Sequence, residues 1–166
     1  MNFRALALAG ALVGAMLPAA LQAQTYRAEE VKKSVTLNDL KAVVNDLGHT
    51  ITGEGDFGDV SLSVEDEYGL YYLLIGTACD VGGVSGCQGI MMQVRYGIDS
   101  SVTYEGMANA NLAQAAINSW IDYADGTMGF TRYQVLDHGV TMANIRANVL
   151  VLLDVSPLAL SVAKGQ

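Results

Sequence analysis

The most regular pattern of apolar and polar positions lies in the middle of the chain, where it predicts two long β-strands. Residues 70–78 are apolar on both faces, which is typical of a strand covered on both sides. In residues 90–96 the apolar even positions alternate with Gln93 and Arg95, so this strand has one buried and one more polar face. A glycine-rich turn, DVGGVSG, separates the two strands. The pattern therefore predicts a β-hairpin at the centre of the fold.

A short amphipathic helix is predicted before this hairpin, over residues 37–47, where leucine and valine recur at helical spacing. Thr36 and Asp39 fit a capping box with aspartate in place of glutamate, and Gly48 is a typical residue to end a helix. We expect the apolar side of this helix to pack on the sheet.

Two further helices are predicted in the second half of the chain. One covers residues 107–124 and places Trp120 on a broad apolar face, where it would belong to the core. The other begins after Thr141, a typical capping residue. Residues 149–155 within it are apolar nearly all round and rich in β-branched side chains, so a strand is an open alternative there.

Shorter alternating segments predict the remaining strands. Residues 49–52 and 60–64 precede the hairpin, and residues 130–136 follow the second helix with Tyr133 and Val135 facing inward. Because every connection is short, an antiparallel meander is the simplest arrangement. The predicted fold class is α+β, a twisted antiparallel sheet of about four to five strands with helices packed on it, in the order α-β-β-β-β-α-β-α.

The first 23 residues have the pattern of a secretory signal peptide. Arg4 precedes a 13-residue apolar run, and small residues follow up to a predicted cleavage site after Ala23. The run is too short to span a bilayer, so a retained membrane anchor is the less favoured alternative. We expect residues 24–166 to be a single periplasmic or secreted domain with no stable membrane anchor after cleavage.

Charge narrows the classes of partner. Without Arg4 the mature chain has 8 basic and 17 acidic residues, a net charge of −9. Such a surface repels a phosphate backbone unless a local basic patch overrides it, and the sequence has no such patch. We therefore expect no nucleic-acid partner.

The chain has two cysteines, Cys79 and Cys87, one at each end of the hairpin turn. In an exported protein two cysteines most simply form a disulfide. A redox-active pair usually has closer spacing and a positive neighbour, whereas Asp80 follows Cys79 here. A metal site would need more ligands than two distant histidines offer. We expect a structural disulfide.

No motif indicates catalysis, a metal or a cofactor. Residues 53–58 match GxGxxG, but a strand follows them where a dinucleotide site requires the N-terminus of a helix. The carboxylates of this loop and those of residues 65–67 do not have the spacing of a calcium loop. Ser85 lacks the last glycine of a nucleophile elbow, and neither His49 nor His138 has a nucleophile or an orienting acid at a recognisable spacing. We expect no enzyme activity.

One face of the central hairpin is a candidate interaction face. If the first helix covers the even positions of residues 70–78, the odd positions need another cover. The third helix or a second molecule would provide it, and we expect a cover within the chain. Exposed aromatic and methionine side chains are a common binding device. The candidate residues are Tyr71, Leu73, Ile75 and Met91.

Several short sequence segments, taken in their order along the chain, resemble the YbjN family of bacterial proteins. They are TLNDLKAV from Thr36 with Leu47-Gly48 after it, the strand leading to Cys79-Asp80, the second cysteine with its apolar strand, AAINSW at residues 115–120 and GVTMANI at residues 139–145. The resemblance covers almost all of residues 24–166. It implies an α+β domain similar to type III secretion chaperones. Members of the YbjN family are described as sensory-transduction regulators without an established chemistry.

The chain departs from the family pattern in two respects. It has the pattern of an exported protein, and the region between Trp120 and Gly139 has room for one clear strand where the family pattern has two. The second departure leaves the far edge of the sheet open.

Two functions of different classes follow as hypotheses. The first is a non-catalytic exported YbjN-like domain that binds protein, in a chaperone-like or regulatory role, with a homodimer as one form. The alternative is a sensor that binds a small apolar ligand between the sheet and the second or third helix. The sequence identifies neither the partner nor the ligand.

Overall fold

A computed structural model describes residues 25–166, so the predicted signal peptide, residues 1–23, lies outside the described residues. A short 3₁₀ turn, Val81–Gly83, lies between the fourth and fifth strands. The elements in chain order are β1 (Val31–Lys32), α1 (Leu37–Leu47), β2 (Thr50–Glu54), β3 (Ser61–Glu65), β4 (Tyr71–Cys79), β5 (Cys87–Gly97), α2 (Tyr104–Ala113), β6 (Asn118–Asp122), β7 (Thr127–Val135), β8 (Val140–Thr141) and α3 (Met142–Ala163).

Within the described residues, six strands form one antiparallel sheet in the order β2-β3-β4-β5-β7-β6. The central hairpin is the β4–β5 pair, in which Tyr72 lies opposite Val94 and Cys79 lies opposite Cys87. The two-residue strands β1 and β8 form a separate antiparallel pair. The predicted α+β class is confirmed, and the sheet has more strands than the four to five that the sequence predicts.

The core lies between one face of the sheet and the helices. Helix α1 packs on β2 and β3, α2 packs on β6, and α3 packs on β5 and β7. The buried side chains under the helices come from alternate positions of the strands, as the period of two requires. They include Leu62, Val64, Tyr72, Leu74, Ile90, Met92, Val94, Met128 and Phe130.

Helix α1 begins and ends where the sequence predicts. The Thr36 hydroxyl accepts a hydrogen bond from the Asp39 backbone N–H, and the Asp39 carboxylate accepts one from the Thr36 backbone N–H. Gly48 ends the helix with a φ of 74°, a left-handed conformation that glycine adopts without strain. Val35 pairs with Cys87 through two backbone hydrogen bonds, which join the start of α1 to the sheet.

Helix α3 settles the open alternative at residues 149–155 in favour of a helix. It runs as one 22-residue helix that Thr141 caps, and it continues through Pro157. Ile145, Val149 and Leu152 are buried, and this burial outweighs the strand preference of β-branched residues. By length and composition alone α3 could span a membrane, a test that core helices of soluble proteins also pass.

The predicted helix over residues 107–124 is wrong in its second half. Helix α2 ends at Ala113, and residues 118–122 form strand β6. Trp120 therefore lies on a strand, opposite Gly129 of β7, and not on a helix. The physical reason is that β7 has free backbone N–H and C=O groups along one edge, and residues 118–122 form hydrogen bonds with them as a strand. Strand β6 is also the far edge of the sheet. The region therefore contains two strands, and the first of them begins before Trp120.

Candidate functional site

The face of the sheet opposite the helices carries no helix in the part of the chain that the structure describes. Cross-strand pairing brings side chains from five strands together on it. We call this surface the open face. Its side chains include Ser63, Tyr71, Leu73, Ile75, Met91, Gln93, Arg95, Trp120, Thr131, Tyr133 and Val135.

All four predicted interaction residues lie on the open face. Ile75 pairs with Met91, and Tyr71 is one position before the Tyr72–Val94 pair. Tyr71 is 58% exposed, Leu73 and Met91 are half-buried, and Ile75 is buried. The expected cover by the third helix is wrong, because α3 packs on the face that already carries α1. Within the described residues, the loop that carries Phe57 covers part of this face, beside Tyr71 and Leu73.

Two further residues of the open face were predicted to point inward. Tyr133 and Val135 are 53% and 58% exposed, because β7 turns its even positions, including Phe130, toward the helices. The Tyr133 hydroxyl forms a 2.8 Å hydrogen bond with the Thr77 hydroxyl. It lies over Gly89, where an added Cβ would be 2.2 Å from the hydroxyl oxygen. The tyrosine ring is therefore held across β5 and β4.

A hydrogen-bond network fixes the middle of the open face. The Thr131 hydroxyl accepts bonds from Gln93 Nε2 and from Trp120 Nε1, each 2.9 Å long. Gln93 Oε1 in turn accepts bonds from Arg95 Nε and Nη2, 3.0 and 2.7 Å long. Trp120 lies over Gly129, where an added Cβ would be 2.5 Å from the indole ring. These side chains are consequently held in one arrangement before any partner arrives.

Arg95 stands between two aromatic rings. Its guanidinium carbon is 4.7 Å from the centre of the Phe57 ring and 5.7 Å from the Trp120 ring, both within cation–π range. Among the described residues, no carboxylate lies within ion-pair distance of it. The open face therefore offers a positive charge with unused donors between aromatic surfaces.

Two shallow hollows flank Arg95. One, of about 240 Å³, lies between Phe57, Tyr71 and Leu73. The other, of about 280 Å³, lies between Trp120 and the turn that follows β6. Both are below the volume range of typical small-molecule pockets, but they can receive single side chains of a protein partner.

The predicted disulfide pair lies at the turn end of the central hairpin, where Cys79 is opposite Cys87. The sulfur atoms of Cys79 and Cys87 are 2.03 Å apart, at disulfide-bonding distance, and the described chain has no free cysteine. Cys87 is buried and Cys79 is exposed. The Asp80 carboxylate accepts a hydrogen bond from the Gly86 backbone N–H, which closes the turn. This arrangement fits a structural crosslink.

The residues considered for catalysis lie apart. His49 bonds the Tyr72 hydroxyl beneath the sheet, His138 is exposed in the turn after β7, and Ser85 is exposed in the hairpin loop. The GxGxxG motif forms the turn between β2 and β3, and its Glu54 pairs with Lys41 of α1. No group of three metal-ligating side chains occurs among the described residues.

Sequence reasoning missed Phe57, Arg95 and Trp120 as members of the site. The strand that carries Trp120 has only a weak signal, because the inward Ser119 and Ile121 include a polar residue and the outward positions include Trp120. The contact of Arg95 with both rings has no local signal, because the three residues come from distant parts of the chain.

Comparison with known proteins identifies the fold and no family. No protein-family model matches the chain, and no curated protein sequence matches it. Among solved structures, YbjN from E. coli is similar with a TM-score of 0.51 and 13% identity, over 72% of this chain and 90% of that chain.

Two further similar structures are complexes. The ExsC–ExsE complex matches with a TM-score of 0.51 and 13% identity, over 71% of this chain and 85% of that chain. The HopA1–SchA chaperone–effector complex matches with a TM-score of 0.46 and 11% identity, over 71% and 90%. At these identities the likeness to YbjN and to the ExsC–ExsE complex concerns the fold alone.

Proposed function

We propose that the protein is a non-catalytic, exported, YbjN-like domain that binds another protein through the open face of its sheet. The observation that carries the proposal is the fixed cluster of Arg95, Phe57 and Trp120 on a face that no helix covers among the described residues. Tryptophan, tyrosine and arginine are the residues most enriched at the centres of protein interfaces. Tyr71 and Tyr133 extend the same surface on either side.

The fold supports a binding role. A similar structure, that of ExsC with ExsE, is itself a complex of two proteins. Export is supported by the N-terminal sequence pattern and by the cysteine pair, because disulfides persist in oxidising compartments. Membership of the YbjN family is supported by the order of the short matching segments from Thr36 to Ile145 and by the shared fold. A second copy of the chain is an alternative partner at this face.

The proposal is tested with a photo-crosslinking amino acid placed on each side of the molecule. Position 71 reports on the open face, and position 123 is the matched control. The two tyrosines are 58% and 56% exposed, and Tyr123 contacts Tyr104 of α2. We expect position 71 to capture one reproducible protein in cells and position 123 not to capture it. Equal capture at both positions, or none at position 71, contradicts the proposal.

The captured partner is then tested with purified protein. Arg95→Ala and Trp120→Ala remove side chains of the open face that the core does not need, since both lie outside the buried core. Each is expected to weaken binding by a factor of about ten or more, which is typical of interface hot spots. Tyr123→Ala, which removes an exposed ring that contacts Tyr104 of α2, is expected to change binding little. Circular dichroism establishes that all three variants are folded.

A further inference from the structure

A larger cavity lies on the other side of the sheet, between α3 and the turn that joins β3 to β4. Its volume is about 620 Å³, within the range of pockets that hold small organic ligands. It is more than twice the size of either hollow on the open face. The cavity is therefore large enough to enclose most of a small molecule.

The floor of this cavity is apolar. Three of its side chains, Leu70, Tyr96 and Leu160, are only half-buried although they border the core. Pro157 also lines it, and a proline cannot donate the helical hydrogen bond to the carbonyl four residues earlier. That carbonyl belongs to Leu153, which also lines the cavity. The Leu153 carbonyl oxygen therefore lacks the hydrogen bond that the backbone N–H of residue 157 would otherwise donate to it.

The rim of the cavity is acidic. Asp66 and Glu67 stand on one side and Asp154 on the other, and no lysine or arginine of residues 25–166 lines the cavity. Among the described residues, none of the three carboxylates pairs with a lysine or arginine. Asp66 is held by the turn, because its carboxylate accepts hydrogen bonds of 2.8 Å from the backbone N–H groups of Tyr68 and Leu70.

The negative electrostatic potential of the rim carboxylates extends to the floor of the cavity. Burial, and after it the Asp66 carboxylate, raises the pKa of Tyr96, which lines the floor. The same two causes raise the pKa of Tyr72, whose hydroxyl lies 2.9 Å from His49 Nδ1. Both tyrosines consequently stay uncharged. The site combines a negative potential with aromatic rings, and both features attract cations.

We propose that this cavity binds a small organic cation with an apolar body. The apolar body would lie against Leu70, Leu150 and Leu160, and the cationic group would lie among Asp66, Glu67 and Asp154. An anion would meet three carboxylates at the rim, and a neutral apolar molecule would gain nothing from them. The inference is independent of protein binding at the open face, because the two sites lie on opposite faces of the sheet.

The test uses probes that share one apolar body. Decyltrimethylammonium and decanoate have chains of equal length and opposite charge, and calorimetric titration below the concentrations at which they form micelles measures their binding to the purified protein. We expect saturable binding of decyltrimethylammonium, at least tenfold tighter than that of decanoate. Equal affinity for the two probes, or no saturable binding of the cation, overturns the proposal.

Two variants with the same change of charge locate the site. Asp154→Asn removes a rim carboxylate, and Asp137→Asn removes an exposed carboxylate in the turn after β7. We expect Asp154→Asn to weaken the binding of decyltrimethylammonium about fivefold and Asp137→Asn to leave it unchanged. NMR amide shifts on adding the probe should concentrate in α3 and the β3–β4 turn. Equal losses in the two variants, or shifts on the open face, overturn the proposal.

Discussion

Asp39 connects the start of α1 to the N-terminal strand. Its carboxylate lies 2.7 Å from Lys32 Nζ and accepts hydrogen bonds from the Thr36 backbone N–H and hydroxyl. Burial raises the pKa of Asp39, but the bonds from Lys32 and Thr36 together outweigh burial and lower the pKa below its ordinary value of 3.8. The ionised carboxylate is therefore stabilised by folding, and this stabilisation is present above the ordinary pKa and is lost as the pH falls through the lowered one.

Asp39→Asn is expected to lower the free energy of unfolding by roughly 2 kcal/mol at pH 7. The substitution removes the ion pair with Lys32 and replaces charged hydrogen bonds from Thr36 by neutral ones. The difference from the wild type should shrink as the pH falls below 3.8, because the wild-type carboxylate then loses its charge as well. Urea denaturation at neutral pH and at a pH well below 3.8 measures it, with Asp137→Asn as the control. A difference of equal size at both pH values would contradict this account.

Gly106 permits close packing of α2 on α3. A Cβ at this position would be 2.2 Å from the Ala163 backbone oxygen, which cannot rotate away. Alanine would favour the helix by about 1 kcal/mol, but overpacking against backbone costs about 1–3 kcal/mol. We expect the net effect of Gly106→Ala to be a destabilisation of about 1 kcal/mol, the middle of the range that these two opposing effects give. Gly97→Ala is the control, because none of the described residues lies within 4 Å of its added Cβ. Denaturation curves compare the two variants.

At the scale of elements, local patterns predict α1 and the central hairpin, because each carries its own signals. The capping box at Thr36, Gly48 and the alternation in β5 depend on neighbours a few residues away. Residues 118–122 fit a helical and a strand pattern alike, and the backbone edge of β7 decides between them. That edge forms only when β7 has paired with β5, and a local sequence pattern does not contain it. The predicted helix therefore extends too far and misplaces Trp120.

The same limit applies to the open face. Period-two alternation places Tyr71, Leu73, Ile75 and Met91 on one face, and the structure agrees. Which side the helices take is a property of the assembled sheet, so the expected cover by α3 is wrong. The cluster around Arg95 needs three strands and a loop in register, and no local pattern contains it.

The contribution of the Cys79–Cys87 disulfide to the stability of the hairpin can be measured. The loop from Cys79 to Cys87 is short, and the chain-entropy model gives about 2.5 kcal/mol for such a crosslink. Cys79→Ser should lower the melting temperature by roughly 5–10 °C and leave the fold intact, because the paired residues from Tyr72 to Thr77 remain. Thermal melting with and without reductant measures this. A wild type that reductant does not destabilise, or that has two reactive thiols, contradicts a structural disulfide.

At the scale of the whole molecule, the sheet separates two surfaces of different chemistry. The open face has exposed aromatic side chains around Arg95, and the helical side has an apolar cavity with an acidic rim. The formal net charge of −8 leaves the arginine of the open face in a generally negative surface, where it favours a partner with a carboxylate. Both proposals can therefore be tested without interference between them.

The order of the strands makes a prediction for the molecule as a whole. β5 pairs with β4 on one side and with β7 on the other, and its Ile90, Met92 and Val94 are buried under the helices. Opening it requires most of the protein to unfold, so its amides should exchange with solvent slowest. The edge strands β2 and β6 each have one paired side, and we expect their amides to exchange roughly a hundred times faster or more.

Hydrogen exchange followed by NMR at two protein concentrations measures this order and also examines the homodimer. An unpaired edge strand can accept a strand from a second copy, and such pairing would protect its amides more as the concentration rises. Protection of β6 that is independent of concentration and equal to that of β5 would contradict the position of β6 at the edge of the sheet. Protection that increases with concentration would instead place the contact between two copies at an edge of the sheet and leave the open face free for a different partner.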